Sequence, residues 1–377
     1  MLRSDAGTAA DILEEPEVWH AVGVLVDRSR SLSDLHSHGL HLIAARLWRA
    51  RAREIPDELA RQELFAVWQV HVADEILRTI SEIIDQDIIV LKGIAAAGHY
   101  PDRALRPFGD LDLFAADPVR AQRQLLAAGF RRVAGFEEGF FDGHHHLEPL
   151  ELPGRETLKV EIHSRAPWVN WCPSPSFGEL RGRGRPGPAP AIWLPDPIDH
   201  ALILACHSWH SLPLRRALDL VDIALVADGV DRQALAQLAR RRRVSRLWKT
   251  TLAASDALMS RGSDPLPLRI WARDLRAVRE CSLIERHLRT WLAPFWARPP
   301  QFAALEALHA IALDVLPTGG ETWPEKLERT RRGVQHPLRP IRDHDKALGP
   351  SARRLRPRDG RSSGPTEASV PEARQIG

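Results

Sequence analysis

The sequence predicts an α+β fold in which a unit of strands and helices lies between two helical regions. Apolar residues recur at helical spacing in three segments before residue 85, namely VWHAVGVLV, GLHLIAARLWRA and ELFAVWQVHVADEILRTISEII. At Asp87 the pattern changes to a short β-branched run, IIVL, and helical spacing returns beyond RGRGRPGPAP, a stretch that we interpret as a loop. These changes divide the chain into an N-terminal helical region (1–85), a central core (86–180), a C-terminal helical region (191–330) and a tail (331–377) whose composition predicts disorder.

The composition is that of an ordinary globular protein. Of the 377 residues, 44% are hydrophobic and 27% are charged. The longest apolar runs are far shorter than the ~20 residues of a membrane span, so no membrane partner is expected. The N-terminal stretch MLRSDAGTAADILEEPE is acidic and has no apolar signal-peptide region. We therefore expect a cytoplasmic protein.

Cysteine spacing and charge exclude some classes of site and permit others. Cys172, Cys206 and Cys281 have no CxxC spacing, which argues against a disulfide framework or a zinc knuckle. The formal charge is +3 and the pI is about 9.0, with basic residues clustered at 240–243 and in the tail. This balance permits nucleic-acid binding without requiring it, and a solvated helix end is the simplest interpretation of the arginine run.

The central core is predicted to contain a strand, a helix, a strand, a helix and a β-hairpin, at 87–91, 93–99, 109–115, 118–128, and 144–152 with 156–163. Asp117 is the expected N-cap of the second helix, Pro118 lies in its first turn, and Gly129 follows its end. Pro153 and Gly154 mark the hairpin turn.

Two carboxylates lie two residues apart on the second predicted strand. Asp110 and Asp112 project from the same face, and adjacent carboxylates repel one another unless a cation lies between them. On the later strand, Lys159, Glu161 and His163 share a face, so Glu161 offers a third acid. Mg²⁺ favours a few carboxylates with phosphate oxygens, and two such ions can clamp an in-line displacement.

The turn after the first strand suits a phosphate group. Gly93 opens a helix whose free N–H groups and positive dipole end favour an anion. Lys92 and Arg106 are candidates to neutralise the remaining charge of a triphosphate.

The motifs LKG, YPD, RPFGDLDL, AAGF and VEIH resemble the polymerase-β-like nucleotidyltransferase superfamily, and more narrowly the bacterial "nucleotidyltransferase family" proteins, over roughly residues 20–230. The resemblance implies a mixed-sheet core and a magnesium-dependent or manganese-dependent transferase with two ions. Asp110, Asp112 and Glu161 match the catalytic, metal-binding acids. The implied reaction moves an NMP group from an NTP such as ATP to an oxygen of a small-molecule, peptide or protein acceptor, in a setting such as peptide or natural-product biosynthesis.

The nucleotide-binding positions also follow from the resemblance, with one departure. Gly93 matches the glycine of the phosphate turn, and Lys92 and Arg106 match positions typical of the narrower family. Well-studied members of the superfamily have Gly-Gly or Gly-Ser there, whereas this chain has Gly93-Ile94. The phosphate contacts are therefore expected from backbone N–H groups, Lys92 or Arg106. The departure also favours an alternative, a degenerate binding or scaffolding module.

Several further residues leave alternatives open. Asp142 or Glu148 replaces Glu161 as the third acid if the strand register differs. His144 and His146 are expected to line the acceptor cleft with Lys159 and His163, since His145 would face away on a strand, and a dedicated transition-metal site is the lesser alternative.

In the C-terminal region, three histidines (His200, His207, His210) are expected in the core or cleft. Asp219 and Asp222 lie beside Arg215 and Arg216, and salt bridging is the ordinary explanation. An RNA-modifying nucleotidyltransferase is a further alternative, supported by the arginine run and the pI.

Overall fold

The structure is a computed structural model that describes residues 17–136, 140–141, 143–155, 157–210, 212–317 and 321–335. They belong to the first of two compact units, Met1–Ile341, and the second, Arg342–Gly377, lies outside the described residues. The predicted tail begins at residue 331, but its first five residues continue a helix that ends at Gln335. The rest of that tail lies outside the described residues.

The described helices fall into three groups along the chain. The first precedes the sheet: α1 (Glu17–Arg28), α2 (Leu32–His38), α3 (His41–Ala50) and α4 (Asp57–Ile83). The second alternates with the strands: α5 (Ile94–Ala97), α6 (Pro118–Ala127) and α7 (Phe177–Arg183), with a 3-10 helix at Arg103–Leu105. The third follows the sheet: α8 (Pro197–His207), α9 (Ala217–Val226), α10 (Arg232–Arg241), α11 (Ser245–Leu258), α12 (Leu266–Ile270), α13 (Arg273–Ala277), α14 (Leu283–Leu292), α15 (Pro294–Ala297), α16 (Pro300–Val315) and α17 (Trp323–Gln335). Among these described helices, none is both long enough and apolar enough to cross a membrane.

One mixed sheet forms the centre of the described chain. Its strands are β1 (Ile88–Val90), β2 (Asp110–Ala115), β3 (Arg131–Arg132), β4 (Leu150–Glu151), β5 (Lys159–His163), β6 (Arg185–Pro186) and β7 (Ile192–Leu194). The order is β3-β4-β5-β2-β1-β7-β6, with the β2–β5 and β1–β7 pairs parallel and the others antiparallel. The predicted α+β class with a mixed-sheet core is confirmed.

The two faces of the sheet are covered by different helices. Leu111, Leu113 and Val160 are fully buried on the face that packs against α4 and α6. On the other face, Ile89 and Phe114 join a core built from both the N-terminal and the C-terminal helices. Because strand side chains alternate, the polar residues of β2 and β5 share this second face.

Several local expectations match the structure. Asp117 accepts a hydrogen bond from the backbone N–H of Arg120 at 2.9 Å, as an N-cap does. Gly129 ends that helix with a φ of 100°, and Gly154 has a φ of 81° in the hairpin turn. These glycines adopt a left-handed backbone that other residues rarely tolerate.

Two extended segments differ from expectation. The stretch interpreted as a loop contains β6, which pairs with β7, and β7 in turn adds to the sheet beside β1. The predicted strand 144–152 reduces to β4 and an isolated bridge between His146 and His163. Neither segment shows the alternation of apolar and polar residues that predicts a strand. The first is rich in proline and glycine, and the second contains three successive histidines.

Candidate functional site

β2 and β5 bring the predicted acids together. The two strands are parallel, and their register places Asp112 directly opposite Glu161 and Asp110 opposite Lys159. Asp110 and Asp112 project from the sheet face covered by α8 and α9, because the alternate residues of β2 fill the opposite core. Asp112 is only 1% exposed, so its carboxylate must be satisfied from within the protein.

Two cationic or polar partners share one oxygen of Asp112. Lys92 Nζ lies 2.8 Å from Asp112 Oδ1, and His163 Nε2 lies 2.9 Å from the same atom. The second oxygen, Oδ2, is buried and has no hydrogen-bond partner. A buried carboxylate oxygen without a donor is costly for a protein, and a bound cation would satisfy it.

The donor set around this oxygen fits a divalent cation. Ligand atoms of Asp112, Glu161 and His163 lie within 4.8 Å of one another. Carboxylate oxygens suit Mg²⁺ and Mn²⁺, and an imidazole nitrogen favours transition metals such as Mn²⁺ over Mg²⁺. Of the alternative third acids, Glu148 pairs with Arg132 at 3.0 Å, and Asp142 lies outside the described residues.

The pKa shifts of the three acids are those of a site in which a cation would be stabilised. The negative charge of Asp112, followed by burial, raises the pKa of Asp110. Burial, with both aspartates, raises the pKa of Glu161 to about 7. Burial also opposes ionisation of Asp112, but Lys92 and His163 outweigh it and hold the pKa of that carboxyl below its ordinary range. An arriving cation would offset the repulsion that raises the pKa of Asp110 and Glu161.

A second group of metal-ligand type, formed by Asp274, Cys281 and Glu285, has other partners. Asp274 forms a buried ion pair with Arg289, and Glu285 accepts a hydrogen bond from Arg279 Nη1 at 2.8 Å. This group therefore stabilises the α13–α14 connection through ion pairs.

Gly93 occupies a backbone conformation that requires glycine. Its φ of 56° and ψ of −111° lie outside the regions open to other residues. A Cβ atom there would also lie 3.2 Å from the carbonyl oxygen of Asp110. The helix that follows has only four residues, α5, instead of the predicted 93–99, so its dipole gives less support to a bound anion.

A pocket of about 180 Å³ lies between the Gly93 turn, β2 and the helices α8 and α9. Its charged lining residues are Lys92, Arg106, Arg216, Asp110, Asp112, Asp219 and Asp222. Salt bridging was the ordinary explanation for Asp219 and Asp222 beside Arg215 and Arg216, and the structure places Arg216 and both acids in the pocket wall. A sequence signal was present, because Asp219 and Asp222 lie three apart in the otherwise apolar segment ALDLVDIALV.

Arg106 is held by a residue far away in the chain. Its Nη2 donates to Asp222 Oδ2 at 2.8 Å, and its Nε lies 3.1 Å from both carboxylate oxygens. Tyr100 Oη donates to Asp222 Oδ1 at 2.7 Å. The Arg216–Asp219 pair, at 2.9 Å, follows the expectation of a local salt bridge, but Asp222 pairs across 116 residues.

The histidines gather on the Glu161 side of the acids. His146 Nε2 lies 3.9 Å from Glu161 Oε2, so His146 lies beside the third acid. His145 was expected to face away from its neighbours, but its ring lies 4.9 Å from that of His146 and 5.1 Å from that of His163. That expectation was wrong because no regular strand alternation exists there. Burial, with His163, lowers the pKa of His145 to about 2, so this ring is neutral.

Two histidines on α8 have different surroundings. His207 lines the pocket, and burial lowers its pKa to about 3. His200 packs against the ring of His99 at 5.7 Å, and burial likewise lowers its pKa to about 3. Both positions agree with the expectation of core or cleft histidines.

Comparison with known proteins identifies the family. A family model described as an uncharacterised nucleotidyltransferase matches residues 26–260, which include the sheet, the pocket and α8 to α11. The comparisons with curated proteins and with solved structures gave no match. Since the matched segment spans more than half of the chain and contains every residue of the acidic site, the chain belongs to this nucleotidyltransferase family.

Proposed function

We propose that the protein transfers a nucleoside monophosphate group from a nucleoside triphosphate to an oxygen of an acceptor and releases pyrophosphate. The observation that carries this proposal is the buried, unpartnered Oδ2 of Asp112, with Glu161 directly opposite in the parallel β2–β5 register. Family membership supports the general reaction class. The acceptor is a small molecule, a peptide or a protein.

Asp110, Asp112 and Glu161 would hold two divalent ions, Mg²⁺ or Mn²⁺. When bound, these ions neutralise phosphate charge and lower the pKa of an attacking hydroxyl. The strands place the three carboxylates on one face of the sheet, with Asp112 directly opposite Glu161, and His163 keeps Asp112 in position through the 2.9 Å contact with Oδ1. Glu161 would contribute its carboxylate to one ion, whose charge would offset the repulsion from both aspartates that raises its pKa.

The two sides of the acids would serve different substrates. The pocket side carries Lys92, Gly93 and Arg106. The two positive charges and the backbone turn at Gly93 suit the triphosphate. The opposite side carries His146 beside Glu161, with His144 5.8 Å from it between ring centroids. We propose that this imidazole-rich side, together with Lys159, binds the acceptor. His163, also a candidate from the sequence, is fully buried and contacts Asp112 instead.

The test is label transfer from each α-labelled NTP, with Mg²⁺ or Mn²⁺, in lysate from the source organism. Transfer should vanish in Asp110→Ala and Asp112→Ala. Glu161→Gln should reduce it by at least about 100-fold, in line with a lost catalytic group. Glu148→Gln is the matched control and should behave like the wild type. Failure of the wild type to bind any NTP by calorimetry would contradict the proposal.

Two alternatives give different outcomes in the same experiment. NTP binding without transfer would indicate a binding or scaffolding module. Nucleic acid that co-purifies and disappears from the absorbance spectrum after nuclease treatment would indicate an RNA substrate. In the arginine run, Arg242 is already paired with Glu179 at 2.8 Å, which leaves less free charge for RNA.

A further inference from the structure

We propose that the pocket binds the triphosphate group of its substrate and does not select among nucleobases, so that all four ribonucleoside triphosphates bind with similar affinity. This inference rests on the proposed function and goes beyond it by defining what the site selects. It also assigns a binding role to Arg216, which comes from outside the strand motifs.

The size of the pocket is the first reason. Its volume is about 180 Å³. Pockets that enclose a whole drug-sized ligand have volumes of roughly 300–1,000 Å³. A space below that range can enclose a chain of phosphates, whereas a nucleoside attached to it would lie at the mouth.

The arrangement of charge is the second reason. Three cations from three segments line the pocket, and each is held by its own aspartate. The three pairs are Lys92 with Asp112 at 2.8 Å, Arg106 with Asp222 at 2.8 Å and Arg216 with Asp219 at 2.9 Å. An ammonium group has three N–H donors and a guanidinium five, so each paired cation keeps donors for phosphate oxygens.

One N–H donor of Arg216 has no hydrogen-bond partner in the protein. Its Nε is buried and has no hydrogen-bond partner, while its Nη2 is engaged by Asp219. A phosphate oxygen in the pocket would satisfy this donor, and the Asp219 contact would keep the guanidinium plane in place.

Among the described lining residues, His207 is the one uncharged side chain able to hydrogen-bond to a base edge. Bases are told apart by hydrogen bonds to their edges, from amide, hydroxyl or charged side chains. Among the described lining residues, the uncharged side chains are those of Phe108, Leu204, His207 and Pro107, with two glycines. An aromatic ring such as that of Phe108 stacks on any base, since every base has a π-face.

The balance of charge in the pocket makes polyphosphate binding depend on divalent ions. Three cations face four carboxylates, since Asp110 also lines the pocket. A highly charged polyphosphate would therefore be repelled unless divalent ions accompany it. Binding should need Mg²⁺ or Mn²⁺ even when no nucleoside is present.

The experiment is calorimetric titration of the full chain with inorganic tripolyphosphate, ATP, GTP, CTP and UTP in Mg²⁺. The four nucleotides should bind within about threefold of one another, because stacking accepts any base, and tripolyphosphate should bind at most about 100-fold more weakly, the size of one lost stacking contact. Chelation of Mg²⁺ should abolish binding of all five. A preference for one base above about 100-fold, the size expected of a site that reads hydrogen-bonding groups, would overturn the inference.

Variants at neighbouring arginines test the role of Arg216. Arg216→Gln should weaken all five ligands by a common factor of about tenfold, and Arg216→Lys, which keeps the charge, by less. Arg215→Gln is the matched control, because Arg215 carries the same charge beside Arg216 but lies outside the pocket lining; it should weaken binding much less than Arg216→Gln does. Equal losses in both Gln variants would overturn the assignment. Tripolyphosphate binding with failure of every NTP would refute the proposed function while leaving an anion site, so the two failures can be told apart.

Discussion

Asp222→Ala should be strongly destabilising, since Asp222 is the buried partner of both Arg106 and Tyr100. The Arg106 and Asp222 side chains are 8% and 2% exposed. Removing the acid leaves a buried guanidinium without a counter-charge, which costs about 3–5 kcal/mol. It also leaves the Tyr100 hydroxyl without its acceptor, a loss of about 1–3 kcal/mol that is not additive with the first. We therefore expect the free energy of unfolding to fall by about 3–5 kcal/mol.

The assay is equilibrium urea denaturation followed by far-UV circular dichroism, with the midpoint shifted and the slope unchanged. Asp228→Ala is the control, because Asp228 is half-exposed and pairs with Arg261 at 3.5 Å; it should cost about 0–1 kcal/mol. The double variant Arg106→Met/Asp222→Leu should regain part of the lost stability, since it removes both charges. A loss below about 1 kcal/mol in Asp222→Ala, or a double variant no more stable than the single one, would refute the reasoning.

Three further predictions concern single residues. His200 is neutral in the folded protein with a pKa of about 3, whereas an unfolded histidine titrates near 6.5; its contribution is therefore complete above pH 6.5 and is lost as the pH falls toward 3. His200→Leu should flatten the pH dependence of the unfolding free energy between pH 6 and pH 4 by about 1.4 kcal/mol per pH unit, and an unchanged slope in urea titrations would contradict this. Gly93→Ala should cost about 1–3 kcal/mol from backbone strain and weaken NTP binding, because the new Cβ crowds the Asp110 carbonyl; calorimetry at wild-type affinity would argue against the turn's role. Leu113→Ala should cost about 2–5 kcal/mol by denaturation, against about 0.5 kcal/mol or less for Leu64→Ala at a position that is 74% exposed.

The sequence predicted those parts of the site that depend on local spacing. Asp110 and Asp112 share a face because strand side chains have a period of two, and Glu161 lies on the partner strand that the VEIH motif indicated. The N-cap at Asp117 and the glycine at 93 followed from the chemistry of caps and turns.

The remaining parts depend on tertiary contacts that no local pattern contains. Asp222 was interpreted as a local salt bridge, and only the packing of α9 against the sheet brings it to Arg106. His145 was placed on a regular strand, but the chain forms a single bridge there. β6 and β7 are two and three residues long, too short for a period to be visible.

The parallel pairing of β7 with β1 determines how the sheet that carries the candidate site can be isolated. β1 carries the residues that lead directly into the Gly93 turn, and β7 covers one side of its backbone through Ile88 and Ile89. A fragment that stops at residue 180 would leave that side of β1 as an open row of N–H and C=O groups, which invites association with other chains. The smallest piece able to fold alone must therefore include Ile192–Leu194. Because Arg216 and Asp222 follow at the start of α9 and within it, the pocket cannot be reduced to the strand motifs.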